Sequence, residues 1–313
     1  MTTGRDILPK PLVRALSERS DARGAWLVLH AWATIAGAAA VAAIWPNPVT
    51  VVLAIMVIGS RQMGLAILMH DAAHGALFRN KTLNEAVGTW ACAYPVFADM
   101  LAYRHYHLKH HRYTQQAEDP DLVLSKPFPV TRASFWRKAF RDLTGQTAFK
   151  QRAAQVRMTL DARKNAEDTT GAVQAFGTPS LWGPLAVNAA LFAALALAGY
   201  WWVYLAFWIV PLATWYQFVL RIRNIAEHAM VPDDDDPFRN ARTTHANLLE
   251  RVFFAPYWVN YHVDHHLYMY VPCWQLPRLH KALGEAGVHA RMETKPGYLA
   301  VLRMATSRAP APA

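Results

Sequence analysis

Residues 49–74 read VTVVLAIMVIGSRQMGLAILMHDAAH. The stretch Val49–Met69 carries Arg61 as its one charge and is long enough to cross a bilayer, which takes about 20 helical residues. It runs directly into His70 and His74, which share one face of a helix at i, i+4 spacing and can reach one metal ion. A candidate membrane span and a candidate ligand pair therefore occupy one segment. That coincidence decides how the rest of the chain is read.

Three more stretches are long and apolar enough to span: about 25–45, about 181–199 and about 201–220. The links Trp45–Pro48 and Gly199–Trp202 are very short and uncharged, and both hold the Trp or Tyr expected at a headgroup boundary. The sequence predicts an all-α integral membrane fold, with four transmembrane helices in two hairpins. Lys and Arg lie on the side away from the hairpin tips, including Arg5, Lys10, Arg14, Arg19 and Arg23 ahead of the first span. The positive-inside rule then places both termini in the cytoplasm. It places there also a helical cap formed by about 70–180 and 221–313, the whole chain 1–313 being one domain. The N-terminal basic region is long and shows no small-residue cleavage site, so it reads as part of the first span rather than as a removable signal.

Composition agrees. The 313 residues are 53% hydrophobic and only 17% charged, against about 25% charged in a typical soluble domain. Cys92 and Cys273 are the only cysteines, which excludes a disulfide framework and a cysteine-ligated iron–sulfur cluster. The net charge of +10 borders apolar stretches, which points to an anionic lipid surface and not to nucleic acid.

Between the spans, Leu83–Leu101 is interrupted by Glu85, Pro95 and Asp99 and reads as a re-entrant or interfacial helix. Residues 126–164 interleave Lys126, Arg132, Arg137, Lys138, Arg141, Lys150, Arg152, Arg157, Arg163 and Lys164 with Phe128, Phe135, Trp136 and Phe140. That pattern fits helices on an anionic leaflet or a solvated cap. Residues 165–180 read as a linker. Arg61 and Gln62 mark where the second span leaves the hydrocarbon or point into a channel. The run Asp233–Asp236 reads as a solvated loop or one docked on the basic segment.

Fourteen histidines are present, and nine fall at ligand spacing. After His70 and His74 come His107, His110 and His111, then His262, His265 and His266 in the same i, i+3, i+4 pattern. His228 follows the fourth span, one turn after Asn224. All lie beyond spans on one predicted side and can converge. Nine imidazoles exceed what one ion holds, so two ions with four or five each fit the count. Imidazole suits Zn, Cu, Fe or Ni, which leaves the metal open. Asp71, Glu227 and Asp264 are candidates to accept the free N–H of a ligand ring and fix its orientation; Glu227 is also a candidate ligand. His105 falls on the wrong helical face. His245, His280 and His289 lack a partner at ligand spacing, and His30 reads as a helix-packing residue.

HDAAH at 70–74, HLKHH at 107–111 and HVDHH at 262–266 together resemble the three histidine boxes of the integral-membrane fatty acid desaturase and hydroxylase superfamily. The flanks HDAAHG, HLKHHRYTQQAEDPD and NYHVDHHLYMYVPCWQLPRLH are similar to its bacterial members. The resemblance implies two non-haem irons held by the nine histidines at the cytoplasmic face of a bacterial inner membrane, with Asn224 reaching a metal through a water. It implies an oxygen-dependent oxidoreductase that desaturates a lipid acyl chain, dioxygen being co-substrate. The first box has three intervening residues where acyl-CoA desaturases commonly have four, which sets an acyl-CoA substrate apart.

The boxes alone also fit a lipid or alkane hydroxylase, or a carotenoid ketolase or hydroxylase. A membrane zinc protease would want His-Glu-x-x-His, and the first box holds Asp71 instead. A metal transporter would place ionisable groups within its spans. The chain shows no Gly-x-Gly-x-x-Gly fingerprint, so electrons are expected from an external ferredoxin or b-type cytochrome, steered by the basic face.

Overall fold

The computed structural model describes residues 7–162 and 181–309. Arg5, Arg163, Lys164 and the expected linker 165–180 lie outside the described residues.

A short helix α1 (Lys10–Leu16) leads into α2 (Asp21–Ile44), whose first turn is capped by the Ser20 hydroxyl accepting from Arg23 N at 3.3 Å. The turn Trp45–Asn47 reverses the chain into α3 (Pro48–Ala73). Here Asn47 Oδ1 accepts from Val49 N and Thr50 N, Thr50 Oγ1 accepts from Asn47 N, and Pro48 occupies the first helical position. α3 becomes almost wholly buried from Ile58 onward and forms the axis of the molecule.

Arg61 and Gln62 behave differently from either expectation. Both are buried, and they donate to backbone carbonyls of neighbouring elements: Arg61 Nη2 to Val252 O at 2.8 Å, Gln62 Nε2 to Trp208 O at 2.8 Å. Ser60 does the same to Phe253 O at 2.7 Å. They bracket packed segments onto α3.

Next come α4 (Lys81–Val87), a wide turn Gly88–Ala93, a tight turn Tyr94–Val96, and α5 (Met100–Tyr113), capped by Asp99. The expected re-entrant helix over Leu83–Leu101 is thus broken into pieces, Pro95 falling at the break. α6 (Arg132–Leu143) and α7 (Gln146–Ala162) carry the basic segment. α6 buries Phe135 and Ala139 and leaves Trp136 and Phe140 exposed, and its buried Asp142 pairs with Arg221.

α8 (Trp182–Leu197) and α9 (Trp201–His228) complete the apolar set. α2, α3 and α9, of 24, 26 and 28 residues, are long and apolar enough to cross a membrane. Of the four expected spans, three reach that length among the described residues, and the fourth, α8, is a shorter apolar helix. α8 has 16 residues, about 24 Å, short of the roughly 30 Å hydrocarbon core. It stops because Ala198 caps it and Gly199 turns the chain with φ +82. α9 in contrast runs past the expected end near 220 and delivers Asn224, Glu227 and His228. Asn188 of α8 sits buried between these layers, its Oδ1 accepting from Tyr204 OH and Trp208 Nε1 and its Nδ2 donating to Tyr94 O.

After α9 the chain forms β1 (Thr243–Thr244), α10 (Leu248–Phe253), α11 (His262–Leu267), α12 (Leu276–Glu285), β2 (Thr294–Lys295) and α13 (Tyr298–Ala305). β1 and β2 pair in parallel, Thr243 with Thr294 and Thr244 with Lys295, so the all-α expectation is corrected by this one small ladder. Strands of two residues are too short to show an alternating sequence pattern. Their consequence is positional: fully buried Arg242, just before β1, donates to Ala226 O, Met230 O and Glu293 Oε1. Carbonyls at the end of α9, orphaned by helix geometry, are thereby satisfied and His228 is held in place.

Candidate metal centre

Four elements deliver nine histidines to one place. α3 carries His70 in its last turn and is capped by His74, α5 supplies His107, His110 and His111, α9 ends on His228, and α11 supplies His262, His265 and His266. They divide into two sets: His70, His74, His107, His111 and His265, and His110, His228, His262 and His266. Within each set the ligand atoms lie within 4.8 Å of one another. The sets abut, His111 and His266 having ring centroids 4.3 Å apart.

The nitrogens face inward in pairs. His228 Nε2 stands 3.1 Å from His110 Nε2 and 2.7 Å from His262 Nε2, and His262 Nε2 stands 3.2 Å from His266 Nε2. In the other set His111 Nε2 is 2.9 Å from His107 Nε2 and 3.1 Å from His265 Nε2. Around an ion with bonds of about 2.1 Å, neighbouring ligand nitrogens stand about 3.0 Å apart in an octahedron and about 3.4 Å in a tetrahedron.

The far side of several rings fixes which nitrogen carries the proton. His228 Nδ1 meets Asn240 O at 3.3 Å, and His110 Nδ1 meets Asp119 Oδ1 at 2.8 Å. A carbonyl and a carboxylate are acceptors, so both Nδ1 atoms donate, and each ring in its neutral form presents a lone pair at Nε2. Two lone pairs 3.1 Å apart call for a shared cation. His70 Nε2 and both ring nitrogens of His74 are buried without a hydrogen-bond partner; a buried polar group left unpaired costs about 1–3 kcal/mol, and a metal would take the lone pair of the unprotonated nitrogen in each ring. Donor set, spacing and orphaned nitrogens all fit a dimetal centre.

Electrostatics favour the ligating form. Burial first, and then the neighbouring histidines of the cluster, hold His74, His107, His111, His262, His265 and His266 well below the ordinary imidazole value, which favours their neutral form. His110 is the exception. Burial pulls it down, but the charge of Asp121 and the Asp119 hydrogen bond outweigh burial and raise it.

Of the carboxylates expected to support ligands, Asp71 Oδ1 lies 3.4 Å from His70 Nδ1 while its Oδ2 accepts from Cys273 N at 2.8 Å. Glu227 Oε1 lies 3.6 Å from His262 Nδ1 and pairs with Arg223 at 2.6 Å. Asp264 departs from expectation: it takes His280 Nδ1 at 2.8 Å and Thr243 Oγ1 at 2.6 Å. Two residues after His262 on a helix means about 200° around the axis, so Asp264 faces away from the ligands. His280, read as partnerless, is therefore paired. Asn224 lines a small cavity of about 30 Å³ beside the four-member set, with Tyr103, Glu227 and His262. Among the others, His105 and His245 are exposed, His289 Nε2 bonds His280 O, and His30 Nδ1 contacts Tyr257 OH at 3.0 Å. Asp233 accepts from Asp235 N and Asp236 N, so the acidic run braces its own loop.

Residues that sequence reasoning missed are Asp119, which is fully buried and also accepts from Gln115 N and Asp121 N, and Thr114, whose Oγ1 stands 3.3 Å from His266 Nδ1. Both follow the second box, Asp119 in the stretch EDPD; the turn between them and α5 hides their return to the rings.

Comparison with known proteins adds the family. The fatty acid desaturase profile matches residues 43–294. The chain is 30% identical over 262 residues to dihydrorhizobitoxine desaturase of Bradyrhizobium elkanii, covering 80% of this chain and 72% of the relative. It is 26% identical over 266 residues to beta-carotene ketolase of Paracoccus sp. (strain PC1), covering 83% of this chain and 90% of the relative. With its apolar helices and paired histidine sets, the protein is a membrane oxidoreductase belonging to the fatty acid desaturase family.

Proposed function

We propose that the chain is a non-haem diiron enzyme that uses dioxygen and two electrons to desaturate the acyl chain of a lipid. The observation that carries this reading is the five-plus-four division of inward-facing imidazoles. His70, His74, His107, His111 and His265 would hold one iron; His110, His228, His262 and His266 the other, with Asn224 reaching it through a water. When bound, the pair of irons supplies the oxidising power, drawn from dioxygen, that an unactivated C–H bond requires.

The chain's own part is orientation and exclusion of water. Asp119 and the Asn240 carbonyl keep protons on the outer nitrogens of His110 and His228. Thr114 and Asp71 brace His266 and His70. Seven of the nine rings are buried, which keeps the centre dry. In the bilayer, α2 with α3 and α8 with α9 form two hairpins and four spans, α8 crossing as a short one. The remaining helices make a cytoplasmic cap at a bacterial inner membrane, in one domain. Electrons come from a ferredoxin or b-type cytochrome that docks on the basic face.

The relatives are named for two different substrates, dihydrorhizobitoxine and beta-carotene. Carotenoid oxidation is accordingly the second reading, favoured by the ketolase match over 90% of that relative. One experiment separates them: mass spectrometry of lipids and pigments from cells making the protein, against a His265→Ala variant matched for expression. Lipids lighter by two hydrogens support desaturation, lipids heavier by one oxygen mean hydroxylation, and oxidised pigments mean carotenoid chemistry.

A further inference from the structure

α3 and α9 each bring histidines to the metal centre at their C-terminal ends, α3 with His70 and His74 and α9 with His228. A helix end leaves its last carbonyls without intrahelical donors, so a ligand placed there sits on the least braced backbone of its helix. Both ends are gripped by an arginine. At α9 it is Arg242, which donates to Ala226 O at 3.2 Å and Met230 O at 3.0 Å, on either side of His228. Glu293 Oε1 accepts from its Nε at 3.0 Å and anchors the guanidinium.

Arg104 does the same at α3. Its Nε donates to Ala73 O at 2.8 Å and its Nη2 to Ala72 O at 3.2 Å, and both residues lie between His70 and His74 in the chain. Nη2 also donates to Glu85 Oε1 at 2.6 Å, so a carboxylate anchors this guanidinium too. Asn84 Nδ2 adds a bond to Ala72 O at 2.9 Å, while Asn84 Oδ1 accepts from Phe78 N at 3.3 Å beyond His74. The packing is close: a Cβ on Gly88 would stand 2.5 Å from Ala72 Cβ and 2.6 Å from Met100 Sδ. α4, the wide turn and α5 thus meet at one point of α3.

Its place on α5 gives Arg104 its meaning. It lies one turn before His107 and two before His111, on their face of the helix. One side chain therefore joins the helix bearing His107 and His111 to the end bearing His70 and His74, and these are four of the five histidines in one set. Its charge also adds, after burial and His70, to what disfavours a proton on His74. The planar fork lets one group serve two carbonyls and a carboxylate, which the point charge of a lysine cannot do.

We propose that Arg104 is a positioning residue for the five-member set and the counterpart of Arg242 at the four-member set, so that each metal has its own arginine clamp on the helix end that delivers its ligands. The clamp acts on backbone: it sets how α3 and α5 pack, and that packing orients the rings. A ligand constellation must be held to within about 0.5 Å, and two helices joined at their ligand-bearing ends meet that demand. The consequence for metal binding rests on the dimetal reading of the site.

Anaerobic Fe(II) titration of the full-length chain, freed of metal, tests this by resolving two affinities. His265→Ala and His228→Ala assign them, each deleting one. Arg104→Ala is expected to weaken the five-member site by about 10–100-fold and leave the other within about threefold. Arg104→Lys is expected to give a smaller loss at the same site, and carries the test should the alanine variant fold poorly. Glu293→Gln, which loosens Arg242, is expected to reverse the pattern and weaken the four-member site alone. Equal weakening of both sites by either Arg104 variant, as a general loss of packing would give, overturns the proposal. One Fe(II) affinity in the unaltered chain contradicts the dimetal reading, whereas two affinities both unmoved by Arg104→Ala contradict the clamp alone.

Discussion

The two histidine sets lie side by side yet are stabilised differently. In the four-member set each ring has an outer partner: Asp119 for His110, Asn240 O for His228, Thr114 for His266, and Glu227 at longer range for His262. Across the five-member set Asp71 near His70 is the one carboxylate at a ring, and both His74 nitrogens have no partner. One set is oriented by hydrogen bonds to acceptors, the other by packing of α3, α5 and α11 around neutral rings. Metal affinity at the first should therefore respond to outer carboxylates, and at the second to the ligands themselves.

The largest expected effect is loss of a ligand from the five-member set. His265→Ala is predicted to remove its metal and lower turnover by more than the roughly 10–100-fold typical of outer-partner changes, read by metal analysis and product formation. Next, Asp119→Asn should weaken metal binding at the four-member set by about 10–100-fold and leave the other set alone. Metal titration of the apo-protein, resolving two affinities, checks this; equal weakening of both would erase the distinction. A smaller effect is predicted for Asn188→Leu in the apolar layer. It strands Tyr204 OH and Trp208 Nε1, costing about 1–3 kcal/mol in stability, seen as a lower melting temperature at unchanged metal content. Least of all, Asp264→Asn should alter metal affinity by less than about threefold, because this carboxylate serves His280 and Thr243 and not a ligand. A tenfold change would mean that these contacts orient the ligands on α11 after all.

Much of this was legible in the chain. The nine histidines declare themselves by i, i+3 and i+4 spacing, because helix geometry alone brings such residues to one face. Apolar runs likewise located α2, α3 and α9. What the sequence hid follows from return paths and local stops. Asp119 lies nine residues beyond His110 across a turn, where periodicity has no say, and Asp264 was misassigned for adjacency though its helical angle points away. The polar insertions at Arg61 and Gln62 look like a membrane boundary until their carbonyl partners on α9 and α10 are seen.

The central claim is two metals held by two separate sets of histidines, and metal content per chain measures it most directly. The account predicts two irons per chain in the intact protein, one in His265→Ala and one in His228→Ala. A single metal lost entirely in either variant, or zinc alone in the intact protein, would contradict it.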